Sequence, residues 1–189
     1  METQAETLNK AEIAAISRRI KRPVVLVGLM GVGKSTVGRK LAELTDRTFV
    51  DADTAIEDAA QLSVSEIFKT YGEAVFRDGE RRVIARLIEE RHGVIATGGG
   101  AFVDPETRAL ILDKAIGVWI DCDIATLVER TSRRKTRPLL NQGDPAETLK
   151  RLHRERAPFY EQAPVRIVSM NGPHIQTATM ILEAIDRWL

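Results

Sequence analysis

The distribution of apolar residues along the chain predicts five short, buried β-strands. Each is a run of apolar, mostly β-branched residues bounded by glycine, proline or polar residues, which is typical of strands covered on both faces. The runs are "PVVLVG" (23–28), "TFVD" (48–51), "GVIAT" (93–97), "AIGVWID" (115–121) and "VRIVS" (165–169).

Apolar residues at helical spacing predict helices between these strands. The predicted helices cover residues 5–20, 34–44, 73–91, 124–130, 145–160 and 174–189, and further helices begin at the capping box Ser63/Glu66 and at Asp104-Pro105. Strands that alternate with helices pair in parallel through right-handed crossovers, so we expect a three-layer α/β domain. Such sheets bind ligands beyond the carboxyl ends of their strands, and we expect the functional residues there.

Composition and charge mainly exclude classes of function. Of the 189 residues, 43% are hydrophobic and 29% charged, and the net charge is +1 from 28 basic and 27 acidic residues. This balance gives no reason to expect binding to nucleic acid or to a membrane surface, and no apolar run is long enough to span a bilayer. The single cysteine, Cys122, and the lack of a signal-peptide pattern fit a cytoplasmic protein, which we expect to be a monomer.

One motif, "GLMGVGKS" (28–35), fits G-x-x-x-x-G-K-[ST] and stands between a predicted strand and a predicted helix. Its glycines let amide hydrogens converge on phosphate oxygens, and the helix N-terminus adds partial positive charge. Lys34 brings a cation to the outer phosphates, and the Ser35 hydroxyl can bind Mg²⁺. A glycine-rich turn without function is the alternative, but the strand–loop–helix context favours a nucleotide phosphate site.

Two carboxylates follow the second predicted strand, in "FVDAD" (49–53). The third strand ends instead in "TGGG" (97–100), without an acid, so Asp51 is the nearest candidate to hold a metal through water. Asp53, expected on the same side of an extended segment, is a candidate to orient or deprotonate a substrate hydroxyl. Alternatively, Asp51 is a solvated strand end and Asp53 is the N-cap of a helix from Thr54. The three glycines favour function, because they let a small ligand approach the main chain.

Three arginines are candidates for binding anionic groups. Arg77 in "FRDGE" and Arg156 in "RERAPFY" carry guanidinium forks that suit a substrate carboxylate. Arg137 lies in the basic segment "SRRKTRPLLNQGD", which can close over a nucleotide and bring positive charge to the transferring phosphoryl group. Glu80 is either an orienting partner for an arginine or a surface acid on a helix. Any one of these arginines, taken alone, is more often a surface residue.

The motifs "GLMGVGKST", "DAD", "FRDGE", "TGGG", "TRPLL" and "RAPFY", in this order and spacing, resemble those of the shikimate kinase family from about residue 22 to the C-terminus. The resemblance implies a nucleoside-monophosphate-kinase-like P-loop domain over residues 22–189, with a mobile lid at about residues 132–144. Residues 1–21 form an N-terminal helical extension outside the resemblance. The implied reaction is transfer of the γ-phosphoryl group of ATP, with Mg²⁺, to the 3-hydroxyl of shikimate, on the route to chorismate and the aromatic amino acids.

The resemblance also implies a role for each matching residue. It makes Lys34, Asp53 and Arg137 catalytic, with Asp53 the candidate base. It assigns ATP to Gly31, Val32, Gly33, Lys34, Ser35, Thr36, Arg130, Arg137, Asn171 and Pro173. It assigns shikimate to Asp53, Arg77, Gly98, Gly99, Gly100 and Arg156, and Mg²⁺ to Ser35 and, indirectly, to Asp51. The lid departs from the family in lacking a glycine before Gly143.

Three alternatives remain at this point. A kinase of the same architecture for another hydroxy acid, such as gluconate, is disfavoured by the paired aspartates together with the arginines and "GGG". A non-catalytic nucleotide-binding module would be favoured by loss of Lys34, Asp53 or Arg137, and all three are present. A nucleic-acid role for "RRK" in the lid is weak, because the run is short and aromatic residues make up only 5% of the chain.

Overall fold

The computed structural model describes residues 8–91, 93–132 and 143–189. Its strands are β1 (Val24–Val27), β2 (Phe49–Asp51), β3 (Val94–Ala96), β4 (Ile116–Asp121) and β5 (Val165–Val168). Its helices are α1 (Lys10–Arg19), α2 (Lys34–Thr45), α3 (Ala52–Ala60), α4 (Val64–Glu89), α5 (Pro105–Lys114), α6 (Ile124–Ser132), α7 (Pro145–Tyr160) and α8 (His174–Trp188).

The strands form one parallel sheet, as the alternation of strands and helices predicts. Their order in the sheet is β2-β3-β1-β4-β5. The central strand β1 pairs on one side with β3 and on the other with β4, so that Leu26 lies beside both Ala96 and Val118. β3 and β2 lie on one side of β1, and β4 and β5 lie on the other, so β1 is the point at which the chain changes the side on which it adds strands. The loop after β1 is the predicted phosphate loop. In open α/β sheets this is the position where ligands bind.

Apolar strand residues form the core of the molecule. Every residue of β1, β3 and β4 is buried, which explains why these segments read as continuous apolar runs rather than as alternating ones. Helices α2 and α8 pack against each other, and α5 packs on β4. Cys122, just after β4, is a small buried residue, as the sequence predicts.

One helix begins later than predicted, and another is interrupted as predicted. Helix α1 begins at Lys10, with Asn9 as its cap, and packs against α2 and α8. The capping box Ser63/Glu66 starts α4, as the sequence predicts. Within α4, Gly72 has φ of 82° and ψ of 172°, which are not helical, so that α4 consists of two helical segments joined at a kink, in agreement with the two predicted helices. Among the described residues, no helix is long and apolar enough to cross a membrane.

Candidate active site

A cavity of about 770 Å³ opens at the carboxyl edge of the sheet. It brings together most of the residues singled out in the sequence: Gly31, Gly33, Lys34, Ser35, Thr36, Asp51, Asp53, Arg77, Gly98, Gly99, Gly100, Arg130, Arg156 and Asn171. Val32 is an exception, because its side chain is buried in the core and only its main chain faces this region. Pro173 is the N-cap of α8 and is not among the described lining residues. Arg137 and residues 133–142 of the predicted lid lie outside the described residues.

The phosphate loop has the backbone that its glycines predict. Gly31 has φ of 87° and Gly33 has φ of 93°, a region that residues with a side chain rarely adopt. Gly33 is also the N-cap of α2, so the positive end of this helix faces the cavity. The Lys34 ammonium donates hydrogen bonds to the carbonyls of Gly28, at 2.7 Å, and Leu29, at 2.8 Å. The Lys34 side chain therefore folds back onto the phosphate loop. The oxygens of a bound phosphate would compete with these two carbonyls for the ammonium group.

Ser35 and Asp51 meet beside this loop. The Ser35 hydroxyl donates to Oδ2 of Asp51 at 2.5 Å. The other carboxylate oxygen of Asp51 accepts from the backbone amides of Asp53, at 3.0 Å, and Thr54, at 3.3 Å. Asp51 is thus the N-cap of α3 as well as a partner of the phosphate loop. A hydroxyl and a carboxylate oxygen next to bound phosphate match the preference of Mg²⁺ for hard oxygen ligands.

Asp53 occupies a different position from the one the sequence suggested. It is neither part of an extended segment nor an N-cap, because α3 begins at Ala52 and Asp53 lies in its first turn. The helix turns the carboxylate toward the glycines after β3, where a Cβ added to Gly98 would lie 2.9 Å from Oδ1 of Asp53. Burial and then the charge of Asp51 raise the pKa of Asp53, and the charges of Lys34 and Arg77 oppose that shift.

Glu80 is the orienting partner for an arginine and not a surface acid. Its side chain is buried, and Oε2 accepts a hydrogen bond of 2.6 Å from the Arg77 guanidinium. Its other oxygen, Oε1, is buried and has no hydrogen-bond partner in the described part of the structure. Burial raises the pKa of Glu80 to about 7, against the opposing charge of Arg77. The sequence left both interpretations of Glu80 open and gave no signal for its burial.

The two arginines converge on the glycines after β3. Arg77 reaches Gly100 from α4, so closely that a side chain at Gly100 would collide with the guanidinium. Arg156 reaches Gly99 from α7, and a Cβ added to Gly99 would lie 3.1 Å from Nη1 of Arg156. The glycines therefore leave room for two guanidinium groups at one wall of the cavity. Such a pair is suited to a carboxylate ligand.

Arg130 and the start of α8 line the opposite end of the cavity. Arg130 donates to the carbonyl of Met170 at 3.0 Å and so links α6 to the loop before α8. His174, the first residue of α8, lies beside Gly33: its Cε1 would be 3.6 Å from a Cβ added there. His174 was not predicted to line the cavity, because a single histidine without metal-ligand spacing does not indicate a binding site. Tyr160 was also given no role, although it ends the motif "RAPFY".

Comparison with known proteins identifies the family. The family model for shikimate kinase matches residues 30–186. A shikimate kinase of Novosphingobium aromaticivorans is 58% identical over 193 residues and is matched over 100% of both chains. The chain belongs to the shikimate kinase family. A shikimate kinase of Caulobacter vibrioides is 51% identical over 164 residues, covering 87% of this kinase and 82% of the relative.

A solved structure agrees with this assignment. It is the shikimate kinase of Acinetobacter baumannii in complex with shikimate, which is 36% identical, with a TM-score of 0.82 over 90% of this kinase and 96% of that chain. The present protein is therefore a small-molecule kinase with ATP as its co-substrate, from a family that phosphorylates shikimate. The family decides against the gluconate alternative and against a non-catalytic nucleotide-binding module.

Proposed function

We propose that the cavity binds ATP and shikimate side by side, and that Asp53 directs the 3-hydroxyl of shikimate at the γ-phosphoryl group. One observation carries this assignment of roles. Asp53 lines the same cavity as Lys34, in the phosphate loop, and Arg77, at the glycine wall. Both cations are near enough for their charges to oppose the rise in the pKa of Asp53. Asp53 is thus an acid that shares the cavity with a phosphate-binding cation and a carboxylate-binding cation, where a reacting hydroxyl has to lie.

The nucleotide end of the cavity supports binding of ATP with Mg²⁺. The amides of the phosphate loop and the positive end of α2 would bind the phosphates, with Gly31, Val32, Gly33, Lys34, Ser35 and Thr36 as the contacts. Ser35 and Asp51 would hold the metal, Asp51 through water. When bound there, Mg²⁺ would supply positive charge that offsets the negative charge of the phosphates during transfer. No group of three metal-binding side chains occurs among the described residues, which fits an ion completed by phosphate and water.

The acceptor end suits a polyhydroxylated carboxylic acid. Arg77 and Arg156 would bind the carboxylate through paired N–H donors. Gly98, Gly99 and Gly100 would let the ring of shikimate approach the main chain, which a side chain at these positions would prevent. Arg130, Asn171 and Pro173 would flank the adenine, with Asn171 in the cavity wall and Pro173 at the cap of α8.

Phosphoryl transfer then depends on position and charge. Asp53 would accept a hydrogen bond from the attacking hydroxyl and take its proton as the new O–P bond forms. The bond between the γ-phosphorus and the β,γ-bridging oxygen breaks in the same step, and ADP is the leaving group. Its raised pKa makes it a stronger base than an exposed aspartate. Lys34 would exchange its hydrogen bonds to the carbonyls of the phosphate loop for contacts with the transferring phosphoryl group. The resemblance gives Arg137 the same task from the lid.

An assay of ADP release with ATP and Mg²⁺ tests this proposal. Shikimate should produce strong turnover, whereas gluconate, a hydroxy acid without a ring, should leave ADP release at its background rate. Omitting Mg²⁺ and adding a chelator should abolish the shikimate-dependent rate. Equal rates with and without shikimate, while ATP still binds, would leave the phosphate site intact and refute the acceptor site.

The setting of the reaction belongs to the same proposal. The net charge of +1 gives no electrostatic basis for a nucleic-acid or membrane partner, and small molecules are then the partners of this kinase. A buried free cysteine fits the reducing cytoplasm. We infer a monomer, since residues suited to the phosphates, the metal and the substrate carboxylate are all supplied by one copy of the sequence.

A further inference from the structure

Tyr160, the last residue of α7, is attached to the glycine wall of the cavity by its hydroxyl. The side chain is 1% exposed and its ring packs beside Trp119, with ring centroids 5.9 Å apart. The hydroxyl donates a hydrogen bond to the carbonyl of Gly99. A buried tyrosine that only filled space would not need this bond, and phenylalanine has almost the same volume. The presence of the hydroxyl is therefore explained by its bond to Gly99 rather than by packing.

Arg156 lies one helical turn earlier on α7 and approaches the same glycine, since a Cβ added to Gly99 would be 3.1 Å from Nη1 of Arg156. Residues four apart on a helix are neighbours on its surface. Burial raises the pKa of Tyr160, and the charge of Arg156 opposes that shift. Tyr160 and Arg156 thus meet at Gly99 in the wall of the cavity.

We propose that Tyr160 is a positioning residue, which holds the Arg156 guanidinium and the Gly99 peptide in the arrangement that receives the carboxylate of the acceptor. The inference rests on the proposed function, because it takes Arg156 to be a carboxylate ligand. Tyr160 itself is buried and is not among the described lining residues of the cavity. It acts through Arg156 and Gly99.

The physical reason is the freedom of the arginine side chain. A free arginine loses rotamer entropy when it binds a ligand, and an arginine already held by the protein loses less. A guanidinium has five N–H donors, so one of them can contact the tyrosine while two others remain for a bidentate carboxylate. Without the hydroxyl, the Gly99 carbonyl also loses its hydrogen-bond partner, and the Gly99 peptide can rotate away from the bound substrate.

Tyr160→Phe tests the inference, because it removes the hydroxyl and keeps the ring. We expect the KM for shikimate and the Kd of shikimate in calorimetry to rise about tenfold, the loss of one hydrogen bond to a charged group. The KM for ATP and the Kd of ADP should stay within about twofold, since Lys34 and the other phosphate-binding groups keep their own contacts in the phosphate loop. Thr45→Val is the matched control: it removes a buried hydroxyl that bonds a helix carbonyl, Leu41, at 2.7 Å and is remote from the cavity. It should change neither KM.

Arg156→Ala separates failure of the inference from failure of the proposed function. If Arg156→Ala weakens shikimate binding but Tyr160→Phe does not, the positioning role is refuted and the proposed function stands. If shikimate does not bind the unaltered enzyme, the proposed function fails first. The double variant completes the test: adding Tyr160→Phe to Arg156→Ala should raise the KM for shikimate less than it does alone. A full, additive increase, or equal losses for shikimate and ATP, would show that Tyr160 only supports the fold.

Discussion

At the scale of single residues, Asp51 and Asp53 have different surroundings although they are two positions apart. Asp51 is fully engaged by Ser35 and by the amides at the start of α3. Asp53 lies in the first turn of α3, and its carboxylate is next to Gly98. Asp51 is thus committed to the phosphate loop, whereas the carboxylate of Asp53 faces the region where an acceptor hydroxyl would lie.

This difference predicts that Asp53→Asn lowers kcat by about 10²- to 10⁴-fold, the usual contribution of a general base. The Kd of ADP should stay within about twofold, because the amide keeps the shape of the site. Calorimetry with ADP and the ADP-release assay measure the two effects. Asp58→Asn, at an exposed position later on α3, is the control and should keep full activity. An Asp53→Asn enzyme with more than a tenth of normal kcat would rule out Asp53 as the base.

Glu80 makes the stability of the folded protein depend on pH. Burial raises its pKa from 4.5 to about 7, so between these values the folded state binds more protons than the unfolded chain. The free energy of unfolding therefore falls as pH rises through this window. The shift predicts a loss of about 2 kcal/mol between pH 5 and pH 8 from this residue.

Glu80→Gln should remove this part of the pH dependence, because an amide does not titrate. Urea unfolding at pH 5 and pH 8 measures it: the decrease for the unaltered protein should exceed that for the variant by about 2 kcal/mol. Glu73→Gln, an exposed partner of Arg77 at 3.5 Å, is the control and should keep the full decrease. An identical pH dependence in all three proteins would contradict the raised pKa.

At the scale of elements, α1 is part of the packed core and not a loose extension. Ile16 and Ile20 are buried against the body of the domain. Arg47 donates to the carbonyls of Ser17, at 3.0 Å, and Ile20, at 2.6 Å, and so caps the end of the helix. Nothing in α1 lines the cavity among the described residues. Its contribution should therefore be to stability alone.

Removal of residues 1–21 should accordingly lower the free energy of unfolding by roughly 3–6 kcal/mol, from two isoleucine side chains at about 1.5–3 kcal/mol each. The KM values for both substrates should stay unchanged at a temperature where the shortened chain is folded. Ile16→Ala in the full chain is the milder test and should lower the melting temperature. A shortened protein with unaltered unfolding would mean that α1 does not pack as described, and a changed KM would give it a role in the site.

The elements also show what the sequence predicts well. Fully buried strands and capped helices have strong local signals, so the parallel sheet, the starts of α2 and of α4 to α8, and the strand–loop–helix context of the phosphate loop were predicted correctly. The backbone position of Asp53 was predicted wrongly, because one residue decides where α3 begins and both Asp51 and Asp53 are good N-caps. The bond between Tyr160 and Gly99 joins residues 61 positions apart, and local patterns carry no signal for such contacts.

At the scale of the whole molecule, one chain supplies both ends of the candidate site. Helices α2, α3, α4, α6 and α7 and the loops after β3 and before α8 all meet at one edge of one sheet. Residues for the phosphates, the metal and the carboxylate are present together in the described part of a single chain. We therefore expect that the reaction needs no residue from a second copy.

This arrangement predicts that the enzyme works as a monomer. Its mass by light scattering after size exclusion should be close to 21.0 kDa. Turnover per chain should stay constant when the enzyme is diluted over about three decades, a range that would dissociate a weak dimer. Both measurements should be made with and without saturating ADP and shikimate, since ligands shift an assembly only if they bind its two states unequally. If turnover per chain falls on dilution while the protein stays folded, a second copy contributes to the site, and the single-chain assignment of its residues is wrong.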